Sequence, residues 1–561
     1  MRDVSFSVLG GIGENGKNLY LLKIKSSYFV LDTGLKYPNV STICGVDSII
    51  PEYTFLENVK QKIKGIFITS ALETHSGSLP YLIQHFKVPI YSSSFIIDIL
   101  KINLEKQKYS NLSEVDFKIV NENSLIDFKD TKISFFGIAS FLPETLGLSF
   151  EIEEGYIVYI SKIHSLQSKD KKFQTNYLSL AKLNNKKKVL ALMIGSQGAF
   201  NVNKQQKEEI LEHSLSSYFA SIENNVIISF LIPDLLKIQL VIDIAIEFNL
   251  KVALLGKKNE YIVDIALKKG YLKIPSNFLI NLKSLKDYLK YKKIVVIIVG
   301  KRFESLYRLQ RMCKQTDRLI RLNPKDKILL LSVEITGIDK IQNKTLDALA
   351  RKGFIVDILV KDLFLAPHNY EENFKLILHL LQPKYILPLA GEHRHQYQIK
   401  KIAKNFNYLE SSIFMLENGD NWVFNSNHLP YIQRNFFKKI GEFLIDGTPV
   451  LEGNSYIIKD RELLANDGVI IIACNISLRL KKILGNIEFI SKGFLDKTKT
   501  YSIIDELKNI FYKLIQEFLI NDKKTKWSDF NKNYLREELS KLIFKITKKK
   551  PIIIPALITI D

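Results

Sequence analysis

The residues best placed to do chemistry sit at the end of one apolar run. Residues 64–79 read KGIFITSALETHSGSL. Ile66, Phe67, Ile68 and Thr69 make a β-branched and aromatic stretch of the kind that fills a buried strand. A polar loop, 70–78, follows it and ends in small residues that can open a helix. Loops after strands are where many enzymes present their ligands. Within this loop only His75 is a strong zinc ligand. Glu73 could act with it as an acid–base pair, but no electrophile accompanies the two. His85, His164, His213, His379 and His428 carry no ligand spacing and read as surface or hydrogen-bonded histidines.

The bulk composition narrows the class. The chain has 561 residues, 46% hydrophobic and 25% charged, which suits several globular domains with large cores. Cys44, Cys313 and Cys474 are far apart. No CxxC pair exists, so neither a zinc finger nor a disulfide framework is expected. No signal peptide is visible and no apolar run approaches the ~18 residues of a membrane span, so the expected place is the cytoplasm. The net charge is +21. It has two readings: a polyanionic partner such as RNA or DNA, or compositional drift toward lysine and isoleucine.

The elements that must position the loop alternate. Strands are expected at Val4–Val8, Asn18–Ile24 and Tyr28–Asp32, with a glycine turn, GGIGENG (10–16), between the first two. Further strands are expected at Lys132–Phe136, Tyr156–Ile160 and Val189–Met193. From 204 to 355 helices and short buried strands alternate, which argues for a parallel sheet. Residues 371–382 read as a helix and Lys384–Pro388 as a strand. GEFLIDGTPVLEGNSYIIKD (441–460) reads as turns and short strands, a connector. A small α/β domain from Leu463 closes the chain, ending in KKKPIIIPALITID. The lysines 548–550 read either as a phosphate contact or as a solvated helix end.

These segments resemble the ribonuclease J family. The resemblance is carried by VLGGIGENGKNLY (8–20), Asp32-Thr33-Gly34, LKYPNVSTICGVDSIIPEYTFL (35–56) and KGIFIT (64–69). QPKYILPLAGEHRH (382–395) and KKPIIIPALI (549–558) carry it further, so it runs in order along essentially the whole chain. It implies an α/β fold: a metallo-β-lactamase αββα sandwich, an inserted β-CASP domain and a small C-terminal domain. The implied divisions are 1–203 and 356–435 for the sandwich, 204–355 for the insert, 436–462 for a linker and 463–561 for the C-terminal domain. The family degrades and processes RNA with two metal ions, usually zinc.

Two metals about 3.5–4 Å apart must clamp the phosphodiester oxygens, and imidazole and carboxylate must supply the lone pairs. The family's H-x-H-x-D-H loop falls here on Ser70, Leu72, Thr74 and His75. Its next histidine falls on Ser140, its bridging aspartate on Lys162 and its last histidine on Ala390. Six of seven positions are replaced, and His75 is a remnant. The β-CASP signatures are altered too. An acidic residue falls on Gly195, a histidine on Leu236 beside Lys237, and the phosphate-contacting turn on Lys301-Arg302-Phe303-Glu304. His368, in Ala366-Pro367-His368, and the Gly391-Glu392…Arg394 turn persist.

No catalytic residue and no metal cofactor are therefore expected. Lys162, Lys237, Lys301, Arg302, Ala366, Pro367, His368 and Arg394 are the expected RNA contacts. The leading reading is an RNA-binding or non-catalytic partner subunit of an active ribonuclease J, as a homo- or hetero-oligomer. Two alternatives stay open. One is a metal-dependent ribonuclease with a rebuilt or mononuclear site drawn from Glu73, His75, Glu144, His368, Glu392, His393 and His395. The other is a protein-interaction module that does not bind RNA.

Overall fold

The structure is a computed structural model. It describes residues 3–38, 45–107, 109, 111–162, 170–200, 208–256, 260–300, 303–331, 338–358, 370–438, 440–447, 450–452, 456–494, 497–521 and 532–560. The chain divides into two compact units, one of Met1–Tyr37 with Ser48–Phe443 and one of Pro38–Asp47 with Leu444–Asp561.

In the larger unit the first strands are β1 (Asp3–Gly10), β2 (Leu19–Ile24), β3 (Ser27–Leu31) and β4 (Ser48–Pro51). Next come β5 (Ile63–Phe67), β6 (Ile90–Ser92), β7 (Phe117–Ile119) and β8 (Leu125–Phe128). They are followed by β9 (Thr131–Gly137), β10 (Leu146–Ile152), β11 (Gly155–Ile160) and β12 (Val189–Gly195). The inserted region holds β13 (Val226–Phe230), β14 (Lys251–Leu255), β15 (Leu279–Ile280), β16 (Ile294–Val299), β17 (Lys327–Leu331) and β18 (Ile355–Ile358). The chain then returns through β19 (Tyr385–Leu389), β20 (Asn421–Asn425) and β21 (His428–Gln433).

Two sheets face each other. One runs β21-β20-β1-β2-β3-β5-β6-β7 and the other β19-β12-β11-β10-β9-β8. Strand alternation decides what each residue meets. In β11, Ile157 and Tyr159 enter the core between the sheets with Phe6, Tyr20, Phe67 and Trp422. Tyr156, Val158 and Ile160 point the other way. They pack with Phe374, Ile377 and Leu381 of the helix Tyr370–Leu381 and with Ile399 and Ile402 of the helix His393–Asn405. This is the expected αββα sandwich, and β19–β21 from late in the chain complete both sheets. The insert is a wholly parallel sheet, β15-β14-β16-β13-β17-β18, and its apolar strands bury both faces, as parallel sheets do.

The smaller unit has the sheet β25-β24-β26, of β24 (Val469–Ser477), β25 (Lys482–Lys492) and β26 (Ile552–Thr559), once the short strands β22 (Glu442–Ile445) and β23 (Val450–Glu452) are passed. One face packs on the helices Lys497–Asn521 and Lys532–Thr547 through Ile472, Ile476, Phe511, Ile515 and Leu539. One expectation needs correcting. The stretch read as turns and strands up to residue 460 already contains the start of a helix, Tyr456–Asn466. The proline-bounded end is a strand, and Pro555 sits on an edge, where a missing N–H is tolerated. The lysine run lies along Phe544, with Lys548 5.6 Å and Lys550 4.9 Å from its ring centre, and Lys549 Nζ donates to the Phe494 carbonyl at 3.0 Å.

One carboxylate ties the two sheets of the sandwich together. Asp32 follows β3 and holds a left-handed backbone, φ 57°. It accepts from the Thr69 N–H at 2.8 Å, the Thr69 hydroxyl at 2.9 Å and the Tyr159 hydroxyl at 2.6 Å. Thr69 lies just beyond β5 of one sheet and Tyr159 in β11 of the other. Burial pushes the Asp32 carboxyl up to about 7, against those donors. The folded chain thus keeps this proton at a pH where the unfolded chain has lost it. The group's contribution to stability is full near pH 4 and is lost as pH rises through about 7. Thermal unfolding compared at about pH 5 and pH 8 should show this loss, and Asp32→Asn should remove it. Asp32→Ala should cost about 2–4 kcal/mol at either pH, because it leaves buried donors without an acceptor.

Candidate functional site

The strand ends beside Asp32 bring the old ligand positions together. The Thr69 hydroxyl also lies in hydrogen-bond contact with the Ser161 hydroxyl at 2.9 Å, which places Ser70 and Lys162 next to one joint. The Leu146 N–H donates to the Thr69 carbonyl at 3.0 Å, pinning the loop 138–145 beside it. Close backbone approach supports the same joint. A Cβ at Gly34 would lie 1.8 Å from the Thr74 carbonyl oxygen, so only glycine lets the Asp-Thr-Gly turn meet the loop. A Cβ at Gly195 would lie 2.0 Å from the Ser161 carbonyl oxygen, so no acidic side chain fits there without moving the Lys162 strand end.

His75 is 2% exposed and both of its ring nitrogens are engaged. Nε2 meets the Asn18 side-chain amide at 3.3 Å and Nδ1 meets the Thr74 hydroxyl at 2.9 Å. A neutral imidazole has one lone pair, and either tautomer commits it to a protein partner. Burial first, and the Lys162 charge second, hold its pKa down to about 3. Lys162 is partly buried, with Nζ 5.9 Å from the centre of the Phe141 ring, and loss of water pulls its ammonium down to about 8. Among the described residues no carboxylate lies within ion-pair distance of it.

A two-metal centre does not fit this donor set. Ser70 and Ser140 are 2% and 1% exposed, and each hydroxyl oxygen accepts a backbone N–H two residues on, from Leu72 and Leu142, both at 3.3 Å. Leu72 has no lone pair, Ala390 follows β19 with only a methyl group, and Lys162 brings a positive charge that repels cations. Among the described residues no three His, Cys, Asp or Glu side chains converge on one point.

The residues that could rebuild a site are committed elsewhere. Glu73 accepts from the Tyr37 hydroxyl at 2.5 Å. Glu392 caps the helix His393–Asn405 in a box with His395, whose Nδ1 accepts the Glu392 N–H at 3.0 Å, and it pairs with Arg394 at 2.7 Å. His393 lies against Gly13. Lys301, Arg302, Ala366, Pro367 and His368 lie outside the described residues. The helix that carries Lys237 starts against the same loop: the Leu235 N–H donates to the Phe141 carbonyl at 3.3 Å. Lys237 also pairs with Asp234 at 3.2 Å.

Glu144 has a different task from the ligand role the sequence allowed it. It accepts from the Phe95 N–H at 2.8 Å and from the Tyr271 hydroxyl of the inserted domain. Lys269 Nζ reaches Asp98 at 2.9 Å and Ser94 at 2.6 Å, and the Tyr261 hydroxyl donates to Asn103 at 2.8 Å. The insert is thereby seated on the helix Ser94–Lys106. Sequence reasoning missed Asn18, Phe141 and this seat, and no local pattern marks them. Glu144→Ala is expected to cost about 1–3 kcal/mol and to raise amide exchange at 94–98. Unchanged melting and exchange would show that the seat does not depend on it.

Residues 223–349 match the family described as "Ribonuclease J, beta-CASP domain", and residues 456–560 match "Ribonuclease J C-terminal domain". Curated relatives match end to end. Ribonuclease J 2 of Staphylococcus epidermidis RP62A is 29% identical over 557 residues, covering 99% of this chain and 98% of that protein. Ribonuclease J2 of Bacillus subtilis 168 is 29% identical over 558 residues, covering 100% and 99%. A crystal structure of a protein of unknown function from Enterococcus faecalis V583 shares the fold, with TM-score 0.51 at 13% identity, over 75% of this chain and 100% of that one. Sheet order, inserted parallel domain, domain matches and full-length relatives agree: the chain is a ribonuclease J-like protein.

Proposed function

We propose that this protein serves RNA processing and decay by binding RNA without cutting it, alone or as the non-catalytic subunit beside an active ribonuclease J. The observation that carries the reading is Lys162. Among the described residues no carboxylate pairs with this lysine, and the resemblance places it where a two-metal nuclease keeps the carboxylate shared by its ions. Relatives named Ribonuclease J2 over the full length support the RNA role, and the +21 charge suits a polyanion. Lys162 and Lys237 flank the loop at Phe141 on the side of the inserted domain. Lys301, Arg302, Ala366, Pro367, His368 and Arg394 are the further contacts of this reading. The cytoplasm is its place, and a homo- or hetero-oligomer its working form. Among the described residues no helix is long and apolar enough to cross a membrane.

Purified full-length protein is expected to hold no stoichiometric zinc and to leave a labelled RNA intact. Zinc at about one ion per chain that His75→Ala abolishes would contradict the reading and favour a rebuilt metal site. RNA binding measured by anisotropy at roughly 50 and 200 mM salt should weaken steeply, with log K against log salt sloping about −2 to −3 for three or four neutralised phosphates. Lys162→Met and Lys237→Met should each weaken binding several-fold and flatten that slope by about one. Absence of binding at the lower salt rejects the RNA role and leaves a protein-interaction module.

A further inference from the structure

The parallel sheet of the insert has two ends. Lys301 and Arg302 follow the C-terminal end of β16 in the sequence. Strands of five or six residues put the N-terminal ends about 15–20 Å away. Register sets cations in a row along that second edge. Lys251 of β14 stands opposite Ile294 of β16, and Lys327 of β17 stands opposite Val226 of β13 and Ile355 of β18. Lys292 and Lys293 directly precede β16, Lys325 precedes β17, and Lys352 precedes β18. The sheet order β14-β16-β13-β17-β18 spreads these charges over roughly 20 Å.

The segments that carry them are tied to one another. The Asn225 side chain accepts the Ile294 N–H at 3.1 Å and donates to the Tyr288 hydroxyl at 2.9 Å, while its carbonyl accepts the Lys327 N–H at 3.0 Å. Lys251 Nζ lies 5.5 Å from the centre of the Tyr291 ring. Burial pushes the Cys313 thiol up, and Lys352 and Lys314 both act against that rise, so the turns at 314 and 352 adjoin. Two carboxylates of this edge are turned inward. Asp326, 2% exposed, accepts the Asn323 N–H at 2.8 Å. Asp317, 4% exposed, accepts the N–H groups of Leu319 and Ile320 and pairs with Arg308 at 3.4 Å. Glu223, before β13, is exposed. Among the described residues no carboxylate lies within ion-pair distance of Lys292, Lys293, Lys314, Arg318, Lys325 or Lys352, and all six are exposed. Drift toward lysine adds charge to every face. It does not commit the carboxylates of one edge to backbone amides while its cations face water.

We infer that the N-terminal edge of the inserted sheet is a second docking surface for the ribose-phosphate backbone of RNA, separate from the strand ends around Lys162. Lysine and arginine there meet phosphate oxygens through charge-assisted N–H contacts, so the recognition is independent of base sequence. The surface rests on the RNA reading above but not on Lys162.

Full-length protein is titrated with labelled RNAs of roughly 10 and 40 nucleotides, and binding is read by anisotropy at roughly 50 and 200 mM salt. The longer RNA engages both regions at once, so its log K against log salt should be steeper by about two. Lys292→Gln with Lys293→Gln and Lys325→Gln should weaken the longer RNA about tenfold and remove that excess slope. A control with the same loss of charge uses three exposed lysines of the sandwich, Lys60→Gln with Lys62→Gln and Lys64→Gln. It should leave affinity within about twofold. Equal loss in both triple variants, or no loss in the first, overturns the inference and leaves the RNA reading standing. Amide exchange of the wild type decides without any variant. Protection by the longer RNA at 290–294 and 323–327 supports the surface, and protection confined to other segments overturns it. Wild type that binds neither RNA overturns this surface and the RNA reading together. Polyglutamate that then binds, and is lost in the first triple variant, assigns the edge to an acidic protein instead.

Discussion

The Asp32 carboxylate is the point on which the site depends. It lies between the two sheets, takes hydrogens from Thr69 and Tyr159, and holds a left-handed backbone to do so. Through Thr69 it reaches Ser161, and so it sets the ends of β5 and β11 side by side. Those ends carry Ser70 and Lys162. A buried carboxylate with satisfied hydrogen bonds specifies one arrangement of its neighbours. The resemblance places a metal centre here, while the side chains at these positions are not metal ligands.

The replacements act together. Removing carboxylates and imidazoles from a site designed for two divalent ions takes away the ions' ligands. It would also leave a polar void if nothing else changed. Lysine at 162 brings a cation that cannot diffuse away. Serines at 70 and 140 fill their positions while satisfying nearby backbone N–H groups. Asn18 and Thr74 take up the remaining imidazole. Among the described residues these side chains are partnered by the protein itself, with no set of ligands for an ion. Glu144, Lys269 and Tyr261 seat the insert on the helix Ser94–Lys106, and Leu235 of the insert meets the Phe141 carbonyl.

Much of this was legible in the sequence, for physical reasons. Strands such as Lys251–Leu255, Ile294–Val299 and Lys327–Leu331 are short and apolar, and they form the parallel sheet that the alternation from 204 to 355 implied. The replaced ligand positions were legible only through the resemblance to the ribonuclease J family, whose ligand loop falls on this strand end. The pairing of Asn18 with His75, separated by 57 residues, left no local trace. Neither did the use of Glu144 as a seat rather than a ligand, since a carboxylate reads the same in either role. The helix Tyr456–Asn466 was hidden because its first turn, Tyr-Ile-Ile-Lys, is as rich in β-branched residues as a strand. Tertiary packing decides such segments, and it is not written in any one window.

The central claim is that the cation of this site is a side chain and not a metal. The most direct measurement is RNA affinity of one full-length preparation, taken first with EDTA and then with added zinc. The account predicts the same dissociation constant in both, and the same weakening on Lys162→Met in both. Affinity that appears or tightens at least tenfold only when zinc is present would contradict it.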